Sequence, residues 1–535
     1  MSNLTKLKEK EYDDLITKLK SKSELTDDTL YNYLFSEQEW LNLSGASFTL
    51  TDKTCKNMIN IINPDNFKSL HMYNLRNISS DAYKSLFEKF INITSLNIGC
   101  ARNMDKESFS SLKNLKNIQI LVLNGNNFIS DEMLIENLPY WPNLTDLSIR
   151  CKNLTDKSLI AISNYCPNLQ ILDIGRCFGF SSCNILIDFF RKCSKVNNLN
   201  ICSLRYIDDK TIYEITKSLD LLSLDIIGCT NISENGLIKC IPNLTNIKYF
   251  RLLECSNHLI LELSKYCMKL QNIYIPKNAD VEEYAICQLL DNCPGLTNIF
   301  ISQTEDLTNK VLSKILNRKE LIELHIDGII QFVDEMTYEP FMNLDHKLEK
   351  LKVLTIKERP EVVNDEGIIH IGKACPNLVV FDIKYAIQLT SNGFINMAKY
   401  FTNIKSLNLK LSNVTDDDIR VLTEGCKNLV DLILNNCQSL TPMAIEIVLD
   451  GFKDIDKLFV SESFNKLSNE YSNKPTKKLH SYITEICMSD NNGIDNEILD
   501  YVLECCPKLN RLNISKCPNI KVNETNFSKS LLLIK

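Results

Sequence analysis

The chain has 535 residues, 44 % of them apolar, with 60 Lys and Arg against 67 Asp and Glu and a formal net charge of −7. That balance supplies no basic footprint for a phosphate backbone, which argues against a nucleic-acid binder. No run approaches the roughly eighteen apolar residues of a membrane span, and the opening MSNLTKLKEKEYDD lacks the apolar stretch of a secretory signal.

Residues 1–24 are charged and helix-prone, with Leu7, Leu15, Ile16 and Leu19 on one face. They read as an N-terminal helical cap, the cover that an open solenoid needs on its terminal apolar face. Residues 25–39 read as the helical half of an incomplete first repeat. From Leu41 an inward aliphatic position recurs at Leu70, Leu96, Leu121, Leu147 and Leu172, and runs through Phe250, Ile299 and Leu407 to Leu512. There are nineteen such units, with steps of 23 to 30 residues and most of 25 to 27. Each begins with an apolar–x–apolar alternation, which predicts a strand buried on one face.

A turn and a helix start follow, as in LTDKSL at 154–159, ISENGL at 232–237 and VTDDDI at 414–419. Thr155, Ser233 and Thr415 are placed to cap the helix N-termini, and the dipole favours their acidic neighbours. Pro142, Pro167, Pro242, Pro294, Pro376 and Pro507 stop each helix and start the next strand. Strand–helix alternation of this kind gives parallel strands. The expected fold is an α/β solenoid, a parallel concave sheet with helices on the convex side. The array covers 25–520, and 521–535, ending in LLLI, form a C-terminal cap. Two stretches break the period. Residues 327–350 carry a longer connection, and polar 461–482 is the best candidate for a mobile loop.

Of 21 cysteines, eight fall just after a strand, among them Cys151, Cys177 and Cys229, and nine at helix ends, among them Cys166, Cys193 and Cys375. Two repeat positions account for most of them, so they read as small buried side chains. With no CxxC and an odd total, neither a zinc site nor a closed disulfide set is expected, and a reducing compartment is. Catalytic patterns are absent too: no phosphate-cradling glycine motif, no GxSxG and no HExxH. The six histidines are scattered over different repeats. No enzyme activity, cofactor or metal is expected.

WPNLTDLSIRCKNLTDKSLIAISNYC (141–166) and PNLQILDIGRC (167–177) resemble the cysteine-containing subfamily of leucine-rich repeats. This is the pattern of the F-box and leucine-rich-repeat proteins and of relatives that share the array without an F-box. The resemblance implies a right-handed horseshoe of the ribonuclease-inhibitor-like kind. By analogy it also implies substrate recognition for SCF-type ubiquitin ligases. An F-box opens with a Leu-Pro pair, but residues 1–40 contain no proline and Trp40 already belongs to the first strand.

The outward strand positions are mostly small and polar, except mid-chain. There Tyr249, Arg251, Tyr274, Phe300 and His325 fall on successive strands about 4.8 Å apart. Tyr and Arg dominate binding hot spots, each worth roughly 2 kcal/mol or more when a partner buries it. Packing against neighbouring side chains, or against an inward-folded 327–350, explains the cluster equally well. Two residues further on, Lys357, Lys384 and Lys410 form a ladder that suits an acidic or phosphorylated segment, or else a solvated face with Asp382 in compensation. Asp146, Asp173 and Asp225 tilt the earlier face acidic.

The expected function is therefore a non-enzymatic protein-interaction scaffold, monomeric by itself and cytoplasmic or nuclear. Its partners are proteins, ubiquitin-ligase subunits and a substrate among them. The alternatives are a stand-alone inhibitor or regulator, and a receptor for a phosphorylated or polyanionic ligand.

Overall fold

A computed structural model describes residues 12, 15–17, 19–20, 25–46, 49–252, 255–276, 281–302, 307–328, 336–464, 480, 482–521 and 532–534. Most of the N-terminal cap, 329–335 of the longer connection, 465–479 of the expected mobile loop and 522–531 lie outside the described residues. The chain forms two compact units, Met1–Glu254 with Lys265–Leu270, and Cys255–Ser264 with Gln271–Lys535.

The first unit holds nine parallel strands in chain order: β1 (Trp40–Asn42), β2 (Ser69–His71), β3 (Ser95–Asn97), β4 (Ile120–Val122), β5 (Asp146–Ser148), β6 (Ile171–Asp173), β7 (Asn198–Asn200), β8 (Ser223–Asp225) and β9 (Tyr249–Arg251). The second holds eleven: β10 (Asn272–Ile275), β11 (Asn298–Ser302), β12 (Glu323–Asp327), β13 (Val353–Lys357), β14 (Val380–Asp382), β15 (Ser406–Asn408), β16 (Asp431–Ile433), β17 (Lys457–Phe459), β18 (Glu485–Cys487), β19 (Arg511–Asn513) and β20 (Leu532–Ile534). A helix or short helical turn joins most successive strands. This is an α/β leucine-rich-repeat solenoid. All nineteen inward anchors are 2 % exposed or less, and within each unit they pair in register, Leu147 with Leu172 and Phe381 with Leu407. Each contributes about 2 kcal/mol of burial.

Three local devices make one repeat fit the next. Outward Asn and Asp side chains close the turn after the strand. Asn97 accepts from the Gly99 amide, Asp173 from Gly175 and Asn408 from Lys410. The following residue then turns left-handed, as Cys100, Arg176 and Leu411 do with φ near +60°. That conformation is costly for a side chain, and the Asx bond helps to hold it. The post-strand cysteines add a bond the sequence did not announce. Cys177 Sγ–H donates to the Ile149 carbonyl and Cys437 to that of Leu409, each in the preceding repeat. Burial pushes the Cys177 thiol up to about 12, as it does that of helix-end Cys166, so neither is a nucleophile.

The third device runs along the helix N-termini. Thr155, Ser233 and Thr415 cap as expected. In addition, the first-turn acid of one helix accepts from the cap of the next. Asp131 takes the Thr155 amide at 2.9 Å and its hydroxyl at 2.5 Å, and Asp365 takes the Thr390 amide at 2.9 Å. Towards the chain ends, Tyr12 stands edge-on against Trp40, and Leu532–Ile534 form β20, paired with β19.

Candidate functional site

Strands β11 to β13 are five residues long where most others are three. The extra length brings a second inward row, Ile301, Ile326 and Ile356, into register. It also adds outward positions, Ser302, Asp327 and Lys357, in register beside the central outward row.

Phe300 lies face to face with the His325 ring, centroids 4.3 Å apart and planes 12° apart. Tyr274 tilts against Phe300 at 6.3 Å and is 37 % exposed. Burial lowers the His325 pKa below its ordinary value, and this outweighs the opposing pull of Glu323. The imidazole is therefore neutral at pH 7, and it stacks as an aromatic rather than as a cation. Thr355 continues the row but is buried. The result is a short aromatic shelf, two rings stacked and a third at an angle.

Beside it the three lysines differ. Lys357 Nζ lies 3.6 Å from Asp327 and 3.5 Å from Asp382, each on an adjacent strand. Lys384 Nζ pairs with Glu358 at 2.8 Å. Lys410 has no ion pair among the described residues. The compensation by Asp382 was legible in the sequence. Asp327 and Glu358 were missed, because only the registered stacking of β12, β13 and β14 brings them to the ammonium groups.

In the first unit, Tyr249 is 42 % exposed and Arg251 reaches Asp225 at 3.2 Å. Arg150 holds Asp173 at 2.7 Å, and Ser148 donates to the same carboxylate. Burial, reinforced by Asp173, raises the pKa of Asp146. So of the three acids read as tilting this face, two are paired with arginine. Among the described residues no group of His, Cys, Asp and Glu is arranged to hold a metal ion, and no helix is long and apolar enough to cross a membrane.

No protein-family model matches the chain. It is 29 % identical over 144 residues to an "Antagonist of mitotic exit network protein 1" of Candida glabrata, covering 26 % of this chain and 27 % of that one. It is 26 % identical over 181 residues to the "DNA repair protein rhp7" of Schizosaccharomyces pombe, covering 33 % and 31 %. The chain thus spans about a third or less of the length of these relatives. Among solved structures, the yeast Rad7 and Elc1 complex aligns over 99 % of this chain and 89 % of that one, at 14 % identity and a TM-score of 0.27. LegL7 of Legionella pneumophila, a leucine-rich-repeat protein, aligns over 50 % and 94 %, at 15 % identity and a TM-score of 0.35. The nineteen registered anchors, the turn-closing Asx residues and the cysteine donors are this chain's own features, and by them it is a leucine-rich-repeat protein.

Proposed function

We propose that the chain is a non-enzymatic protein-binding scaffold. Its second unit captures a partner through Tyr274, Phe300 and His325, with Lys357, Lys384 and Lys410 setting the charge alongside. Tyr249 and Arg251 are the corresponding contacts of the first unit. The observation that carries this reading is the Phe300–His325 stack with Tyr274 against it. Many other outward side chains close a turn or pair with a neighbour, whereas these rings offer flat apolar surface on a rigid sheet. Preorganised aromatic surface of this kind loses little entropy on binding.

The finer reading is that capture serves substrate recognition for an SCF-type ubiquitin ligase, in the cytoplasm or nucleus, with the chain itself monomeric. The resemblance of the repeats supports it. A second reading, a stand-alone regulator that occludes its partner, is favoured by the word antagonist in the name of one relative. A receptor for a polyanion is disfavoured, because carboxylates already meet Lys357 and Lys384.

Affinity purification from native cells tests the proposal, comparing the wild type with a Tyr274→Ala, Phe300→Ala double variant. A partner retained only by the wild type supports the shelf, and undiminished capture by the variant removes it. Co-purifying cullin and adaptor subunits support the ligase reading. Their absence from an otherwise intact complex supports the stand-alone regulator.

A further inference from the structure

A second surface lies in the first unit, on the turns that follow β3, β5, β6 and β7. Phe178, in the turn after β6, is 64 % exposed, more than any other large apolar side chain among the described residues. Its outward position is fixed from both sides. Cys177 is fully buried with its Sγ–H on the Ile149 carbonyl at 3.1 Å, and Phe180 is buried in the core. Between them, Gly179 lies so close to the preceding turn that a Cβ there would sit 2.3 Å from the Leu154 oxygen. Arg176, at φ +61°, donates its amide to the Cys202 carbonyl at 2.8 Å. The backbone on either side of Phe178 is therefore held in place, with the ring turned outward.

Around it stand Lys152, Arg176 and Arg205 on adjacent turns, with Arg102 further along the same edge, all exposed. Among the described residues none of these four side chains has an ion-pair or hydrogen-bond partner. Arg150, Arg191 and Arg251, on the strand face and a helix, all meet carboxylates. In a chain of net charge −7, this edge sets cations without an ion pair beside the most exposed large apolar side chain of the described residues.

We propose that this edge docks an acidic surface of a protein partner, with Phe178 entering an apolar pocket and Lys152, Arg176 and Arg205 pairing with carboxylates around it. An apolar centre with a charged rim is the anatomy of a protein interface, and the rim fixes the sign of the partner. The net negative charge of the chain disfavours a nucleic acid in the same place.

The test places the photocrosslinker p-benzoylphenylalanine at position 178 of the full chain in its native cells, with mass-spectrometric mapping of the adduct. The control carries it at Ile160, an exposed helix position of the same unit. The expected adduct joins position 178 to a segment of another protein rich in Asp and Glu. Its yield should fall about tenfold in Lys152→Glu/Arg205→Glu, since losing roughly 1.4 kcal/mol is a factor of ten in affinity. Thermal unfolding checks that this variant is folded, and Lys152→Gln/Arg205→Gln replaces it if it is not. No adduct, an adduct to nucleic acid, to a second copy of the chain or to a neutral or basic segment, or a yield indifferent to the charge change would overturn the proposal. None of these outcomes bears on the aromatic shelf of the second unit.

Discussion

Asp131→Asn is the sharpest probe of how the repeats are joined. Asp131 is 7 % exposed and accepts three hydrogen bonds: the Thr155 amide at 2.9 Å, the Thr155 hydroxyl at 2.5 Å and the Ser158 hydroxyl at 2.5 Å. Asparagine keeps one acceptor oxygen but turns an NH2 group toward the same donors. Bonds to a charged group are worth about 1.5–3 kcal/mol, against about 1 for neutral ones, and a buried donor left unmet costs about 1–3 kcal/mol. The net loss should be about 2–3 kcal/mol, a roughly 30- to 150-fold rise in local opening. Native-state hydrogen exchange at the Thr155 and Ser158 amides reads this directly. The amides of β1 and β2 should be unchanged, because a repeat couples mainly to its neighbours. Acceleration under about threefold, or spread evenly along the unit, would refute the reasoning. The same carboxyl sets an acid limit. Burial alone would raise its pKa, but the hydroxyl and amide donors override that and hold it below 3.8. Its stabilisation is therefore complete above the ordinary carboxylate value and is lost as pH falls through the lower folded one.

Further outcomes follow from other sites. His325, half-buried against Phe300, should titrate below 6.5 by NMR because that partial burial disfavours its charged form. Its contribution to stability is then present above that pH and lost as the pH falls through the folded value, and a midpoint at or above 6.5 would contradict the stacked, neutral ring. Alkylation of the native protein should reach the half-exposed thiols of Cys100, Cys183 and Cys487 and leave Cys166 and Cys177 unmodified until unfolding. Modification of Cys177 in the folded state would remove its structural assignment. Gly179→Ala should cost about 1–3 kcal/mol through overpacking against Leu154, and an unchanged melting temperature would refute that contact.

The periodic part of the fold was legible because it is local. Leu147 and Leu172 announce themselves by spacing alone, and Thr155 and Thr415 by the helix starts they precede. What stayed hidden needed stacking. Asp131 carries no mark of its role in the sequence, because its partner Thr155 is 24 positions away. The cysteine donors reach carbonyls 28 positions back, a distance that composition cannot see. A run of aliphatics such as LLLI does not say which strand it will join, so the pairing of Leu532–Ile534 with β19 needed the structure. For the candidate site, the aromatic row was visible as residue types, but its geometry was not. Nothing in the sequence shows that three further cations, Lys152, Arg176 and Arg205, have no ion-pair partner among the described residues.

The bond from a helix acid to the following cap has an evolutionary corollary. Several periods carry both halves of the link, as the one at 154–166 does, with a donor looking backward in Thr155 and an acceptor looking forward in Asp156, which takes Ser181. Loss or duplication of one such whole period would join a donor to an acceptor again at the scar, whereas a fractional one would leave a carboxylate stranded. Genes for such a protein can lengthen or shorten by recombination in whole steps, and the binding faces can shift along the sheet without the scaffold being reinvented.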